Sequence, residues 1–298
     1  MPWIAPEPDA PAGAAPALPA ASILLLRDGP AGLEVLTVMR SREMRFAGGM
    51  LAFPGGRVDR ADASPRLTLR LRPRRALPVI ERAARLAAIR ELFEEAGILL
   101  ACDARTGRRI REPRRRRLAR RWRVPLLADR ITLATLAERA DLVFDPGALV
   151  FFAHWVTPVE SPRRFDARFY LARAPEDQRA ELENESENTA LAWRRPQDIL
   201  ADWQAGRQPL MFPTRLNLVK LARARSVAEA LAQARATPVH RLRPEIVGPR
   251  GEGRRLVIPH DAGFGITEAR PDELDPLEGQ FVARIPLLGE GGRMGRGG

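Results

Sequence analysis

The chain reads as an α/β fold (α+β), a sandwich with a mixed sheet between helices, and three observations predict it. Two apolar runs flank a turn-forming segment near the start. A strongly periodic helix that ends in glycine follows, and a second pair of apolar runs then leads into another helical stretch. With 298 residues the chain can hold one large domain or two small ones, and it can bury a full core.

Taken in order, residues 1–20 are rich in Pro and Ala without a periodic apolar face, and read as a disordered arm. A single domain is expected over residues 21–236, with basic insertions near 63–80 and 105–125. Residues 22–26 and 33–39 are apolar runs around Asp28-Gly29-Pro30-Ala31-Gly32, the signature of a hairpin. The Phe53-Pro54-Gly55-Gly56 turn comes next, where exposed backbone can approach a phosphate or offer a carbonyl to a metal. Leu86, Ile89, Phe93 and Ala96 then recur at three- and four-residue steps, and Gly97 suits the left-handed position that ends such a helix.

Farther on, residues 131–139 read as a short helix, and 149–156 and 165–172 as strands joined at Glu160-Ser161-Pro162. Residues 213–236 read as helical, with a capping box at Ser226-Val227-Ala228-Glu229 opening the second half. The extension over 237–298 is expected to form a short hairpin, with 256–259 as an edge strand, and then a flexible glycine-rich tail.

Composition narrows the function. The single cysteine, Cys102, excludes an intramolecular disulfide and fits a reducing compartment. No apolar run approaches the ~20 residues needed to cross a bilayer, and the start lacks a signal peptide's basic residues, so a cytoplasmic location is expected. The formal net charge of +12 is carried almost wholly by arginine, Lys220 being the only lysine. That bias suits an anionic, phosphate-bearing substrate, and it also suggests a GC-rich bacterial genome. The arginine run over 107–123 reads as a solvated surface. With only Trp122 available for stacking, nucleic acid is not the expected partner.

The chemistry gathers on the periodic helix. Glu91, Glu94 and Glu95 lie opposite its apolar stripe, with Glu91 facing both of the others. Like charges so placed repel unless a cation sits among them, and clustered hard oxygen ligands suit Mg²⁺ or Mn²⁺.

Phe53-Pro54-Gly55-Gly56 followed by Arg90-Glu91-Leu92-x-Glu94-Glu95-x-Gly97-Ile98 resembles the signature of the Nudix hydrolases, Gly-x5-Glu-x7-Arg-Glu-U-x-Glu-Glu-x-Gly-U with U aliphatic. The pattern departs in two places. Asp62 stands where the signature has glutamate, and residues 63–89 stand where it has seven residues. This split box is similar to that of a subgroup that includes coenzyme A diphosphatases. Arg40-Ser41-x3-Arg45-x3-Gly49-x3-Phe53-Pro54-Gly55-Gly56 resembles the accessory motif upstream of the box in the coenzyme A-cleaving members.

The resemblance implies a Nudix-like α/β/α sandwich and metal-dependent hydrolysis of a diphosphate linkage in a small-molecule substrate, coenzyme A or an acyl derivative first. NADH, ADP-ribose or nucleotide sugars are the alternative substrates. A domain that binds nucleotide or RNA without catalysis is the alternative function. It implies metal ligation by Glu91, Glu94, Glu95 and the Gly56 carbonyl, and catalytic roles for Glu94, Glu91, Arg90 and Glu187, with Glu185 the second choice for the loop acid. Arg90 would pair with Glu91 and fix its rotamer. Substrate contacts are expected from Arg40, Arg45, Gly55 and Arg57. Homodimers are frequent among such proteins, and nothing in this sequence shows one.

Overall fold

A computed structural model describes residues 13–43, 48–72, 77–182, 188–248, 255–259 and 262–269. The chain opens with the hairpin β1 (Ala17–Gly29) and β2 (Gly32–Arg40), then β3 (Leu51–Ala52) and β4 (Gly55–Arg57). A 3₁₀ turn (Arg60–Ala63) and α1 (Pro65–Thr68) lead to α2 (Val79–Ala96), then β5 (Ala101–Asp103), α3 (Glu112–Leu127), α4 (Leu133–Arg139) and β6 (Leu142–Phe144). After a second 3₁₀ turn come β7 (Val150–Val156), β8 (Arg164–Arg173), β9 (Asn188–Arg194), α5 (Pro196–Gln204), α6 (Phe212–Leu221) and α7 (Val227–Ala236). The short strands β10 (Arg241–Leu242), β11 (Glu245–Val247), β12 (Arg255–Val257) and β13 (Glu268–Ala269) close the described chain.

Eight strands form one sheet in the order β10-β7-β8-β1-β2-β3, with β4 paired to β1 and β9 to β2. β8 runs parallel to β1 and β10 parallel to β7, whereas the other pairs are antiparallel, so the sheet is mixed. Ile23, Leu24, Leu25 and Leu26 are all fully buried, because helices cover both faces of this central strand. Ile23 and Leu25 join Leu86, Ile89 and Phe93 of α2 and Trp122 of α3 in one core. Leu24 and Leu26 join Phe152, Trp155, Leu216 of α6 and Val227 of α7 in the other. Each such aliphatic side chain contributes about 1.5–3 kcal/mol by leaving water. The α/β/α sandwich and mixed sheet agree with the sequence reading. Among the described residues, no helix is long and apolar enough to cross a membrane.

Four local expectations are corrected. β1 begins at Ala17, inside the stretch read as a disordered arm. Ala17 through Leu26 pair in register with Arg164 through Arg173 of β8, and a partner strand that distant leaves no periodic mark in a Pro/Ala-rich segment. The helical stretch over 213–236 is two helices, α6 and α7, separated at residues 222–226, where Ser226 caps α7 by accepting from the Glu229 amide at 3.2 Å. Residues 256–258 do not extend the main sheet. Instead β12 sits between β11 and β13 in a separate three-stranded sheet, because Leu256, Ile258 and Phe264 are drawn into the second core.

The fourth correction concerns the arginine run. Arg116, Arg117, Arg120 and Arg121 are exposed as expected, but Arg115 and Arg123 on the same helix are buried. His154 is buried on β7 with its Nε2 2.6 Å from Asp166 Oδ1.

Candidate active site

The site is built on α2. Its alanines at 83, 84, 87 and 88 are fully buried and let the helix lie close against the sheet, so polar residues on it are also drawn out of water. Buried polar groups must then find partners. Gly97 closes the helix at φ +68°, and its amide donates to the Phe93 carbonyl at 3.0 Å.

Arg90 is the hub. Its Nε and Nη2 donate to the two carboxylate oxygens of Asp62 at 3.1 Å each. Its Nη1 donates to Glu91 Oε1 at 2.8 Å and to Glu94 Oε2 at 3.0 Å, and Nη2 also donates to the Arg57 carbonyl at 2.8 Å. Asp59 Oδ2 lies 3.5 Å away. The Arg90–Glu91 pair expected from the sequence is therefore formed. Asp62 clamps the arginine in a bidentate fork, and the Asp59 amide fixes that carboxylate in turn at 2.9 Å.

Glu95 points away from Arg90. Its Oε2 accepts the Gly55 amide at 3.0 Å, and its Oε1 accepts Asn188 Nδ2 at 3.0 Å. Gly56 packs directly on the Glu91 carboxylate, and a β-carbon there would lie well inside van der Waals contact, so only glycine permits this approach. The Pro-Gly-Gly turn and the glutamate helix, 34 residues apart at Gly56 and Arg90 in the sequence, thus meet in space.

Burial pushes all three glutamates up, Glu91 to about 6 and Glu94 and Glu95 to about 8. The Arg90 charge opposes the shift at Glu91 and Glu94, while Glu91 raises both of the others. The Asn188 and Gly55 hydrogen bonds and the Arg40 charge restrain Glu95. Asp62 is also raised by burial against the pull of Arg90. Arg90 is held firmly protonated, because Glu91, Asp62 and Glu94 outweigh the burial that opposes its charge.

Among the described residues no three His, Cys, Asp or Glu side chains converge as a ready cation cluster. The donor chemistry nevertheless fits a hard divalent cation. Burial and mutual repulsion disfavour the charged form of three carboxylates on one helix segment, a penalty that a bound cation relieves.

The remaining expected residues are distributed as follows. Arg40, at the end of β2, acts on Glu95 through its charge, and its Nε is buried without a hydrogen-bond partner. The Gly55 amide is engaged by Glu95. Arg57 contributes its carbonyl to Arg90 while its side chain is exposed. Arg45, Glu185 and Glu187 lie outside the described residues. Asn188, which the sequence reading missed, pairs with Arg40 across β9 and β2, and its Oδ1 is buried without a partner. Nothing in the sequence around Asn188 signals this role. The Asp59-x-x-Asp62 spacing does carry a signal, since it is the reciprocal pattern that closes the first turn of a helix.

The fold and this helix-and-turn site define the Nudix hydrolases as the class. The family described as the NUDT19 Nudix domain matches residues 68–221, and the chain belongs to that family. Among curated relatives, acyl-coenzyme A diphosphatase NUDT19 of Gallus gallus is 30% identical over 213 residues, covering 58% of this chain and 56% of the relative. Putative nudix hydrolase 7 of Caenorhabditis elegans is 26% identical over 197 residues, covering 63% and 56%. The chain thus spans about half the length of the curated relatives it matches. A solved NUDIX hydrolase from Alicyclobacillus acidocaldarius is 31% identical, with a TM-score of 0.63 over 72% of this chain and 96% of that one.

Proposed function

We propose that the protein hydrolyses the diphosphate linkage of a nucleoside diphosphate derivative, with coenzyme A or an acyl-coenzyme A as the substrate. The observation that carries the hydrolytic reading is the trio of largely buried glutamates gathered beside the Gly55-Gly56 turn and Arg90, with pKa values raised by burial. The substrate is supported by the NUDT19 relatives of Gallus gallus and Xenopus laevis, both described as acyl-coenzyme A diphosphatases, and by the arginine spacing upstream of the turn.

Glu91, Glu94 and Glu95, with the Gly56 carbonyl, would hold Mg²⁺ or Mn²⁺. Such a cation neutralises a diphosphate and lowers the pKa of bound water. Arg90 keeps Glu91 and Glu94 apart and oriented, each through one carboxylate oxygen, with Asp62 fixing the guanidinium behind them. Arg40 offers an unpaired donor beside Glu95 for a substrate phosphate, and Arg45 would supply a second. One of these glutamates, or Glu187, would accept the proton of the attacking water.

The test is product analysis with Mg²⁺ or Mn²⁺ and a panel of coenzyme A, acetyl-coenzyme A, NADH and ADP-ribose, with Glu94→Gln as control. Adenosine 3′,5′-bisphosphate formed only by the wild type from the coenzyme A substrates is the expected result. Turnover confined to NADH or ADP-ribose would retain the hydrolytic site and discard the substrate assignment.

A further inference from the structure

Helix α3 has two arginine-bearing faces, and the inner one meets the end of α2. Arg115 and Arg123 are 0% and 1% exposed and share the buried side of α3 with Leu118, Trp122 and Leu126. Burying a guanidinium is unfavourable unless its charge and donors are matched. Arg123 Nε donates to the Glu94 backbone carbonyl at 2.9 Å. Arg115 Nη1 donates to the Gly97 carbonyl at 3.4 Å and to Glu181 Oε2 at 3.1 Å, and Arg115 also pairs with Glu112. The Glu181 amide donates to the Ala96 carbonyl at 2.9 Å. The Glu94, Ala96 and Gly97 carbonyls close the C-terminal end of α2, where carbonyls lack partners within the helix and carry its partial negative charge. A β-carbon on Gly97 would stand 3.0 Å from Arg123 Nη1 and 3.3 Å from Arg115 Nη1, so the glycine also makes room for the guanidiniums.

We propose that Arg123, supported by Arg115, is a positioning residue for the reaction above: it fixes the axial and rotational setting of the last turn of α2. That turn carries Glu95, which accepts the Gly55 amide, and Glu94, which accepts from Arg90. The hydrogen bond falls on the backbone of Glu94, whose side chain engages Arg90 two bonds of the network away. Neither arginine touches the reacting atoms. Their effect is transmitted because a displacement of about 1 Å at a reacting centre costs about 10²-fold in rate. The inference rests on the proposed hydrolytic site.

The experiment compares wild type with Arg123→Met, Arg123→Lys and, as a control on the exposed face of α3, Arg117→Ala. Mn²⁺ affinity is read by electron paramagnetic resonance on the substrate-free protein, alongside kcat, KM and the thermal midpoint. Arg123→Met is expected to weaken Mn²⁺ binding about tenfold and to lower kcat about 10–100-fold with KM within about threefold. Arg123→Lys should recover part of both losses, and Arg117→Ala should match wild type. Unchanged Mn²⁺ affinity and kcat in a folded Arg123→Met protein would overturn the proposal, whatever happens to the midpoint.

If Arg123→Met does not fold, wild-type values in Arg123→Lys overturn it and intermediate values support it. A wild type that binds Mn²⁺ but cleaves no diphosphate would remove the proposed activity. The Mn²⁺ shift in Arg123→Met would then still decide the positioning role. A wild type that binds no Mn²⁺ would overturn both.

Discussion

The two halves of α2 are electrostatically unlike, and the first opens at the exposed Val79 whereas the second is mostly buried. In the first half a single carboxylate, Glu81, meets two guanidiniums. Arg85 Nε lies 2.7 Å away and Arg168 Nε 3.6 Å away, while Arg85 also bonds the Pro146 carbonyl and covers the Tyr170 ring at 5.0 Å. In the second half Glu91, Glu94 and Asp62 all bind one guanidinium, Arg90, and Glu95 relies on neutral donors. In the first half cations outnumber the carboxylate, whereas the second half gathers more carboxylates than cations, and burial favours their protonated form until a cation is bound. A carboxylate-rich segment beside a cation-rich one on the same helix marks the second half as the candidate site.

Four experiments would break or sharpen that contrast. The largest effect is expected from Arg90→Met, which leaves three buried carboxylates without their shared cation. A loss of about 3–5 kcal/mol in chemical denaturation is expected for removing one partner of a buried ionic network. A loss below 1 kcal/mol would mean that Arg90 is dispensable as the hub.

Next is the rate comparison between halves. Glu94→Gln should lower kcat by about 10²–10³-fold in a coenzyme A hydrolysis assay, whereas Glu81→Gln should change it by less than about threefold. Equal losses would erase the distinction. Gly97→Ala comes third, at about 1–2 kcal/mol of stability, since alanine is strained at φ +68° and meets Arg123.

The smallest effect is a pH trend. Glu94 and Glu95 are raised from 4.5 to about 8, so between those values the folded protein binds more protons than the unfolded chain. Stability contributed by the protonated glutamates is therefore present at pH 5 and lost as pH rises towards 8. Differential scanning calorimetry of the metal-free protein should show its midpoint falling over that range. Saturating Mn²⁺ should flatten the trend. A midpoint that rises from pH 5 to 8 without metal would contradict the raised protonation of the glutamate row.

Much of this was legible in the sequence, though unevenly. The three-and-four spacing of Leu86, Ile89, Phe93 and Ala96 with Gly97 located the helix and its end. The hairpin register follows from its turn, Gly29 pairing with Gly32. The same spacing rule, applied to α3, places Arg115 and Arg123 on the side of Leu118, Trp122 and Leu126. That signal was available, but the density of arginines around it reads as a solvated run. The strand over Ala17–Ala20 was not legible, because its order comes from β8 nearly 150 residues away. The split of the box also misleads on Asp62. The structure shows that residue as a buried clamp on Arg90.

The sequence by itself determined which residues share a helix face, where that helix stops, and that a glycine turn and a glutamate row occur in one chain. These are local properties, set by backbone geometry over a few residues. Only the tertiary structure decided the charge state of the row and what holds it. Asp62 lies 28 residues from Arg90, Arg123 lies 29 from Glu94, and Asn188 lies 93 from Glu95. Burial and pairing are properties of the space between elements. Periodicity specifies the direction in which a side chain points, and the packed fold supplies what it meets there.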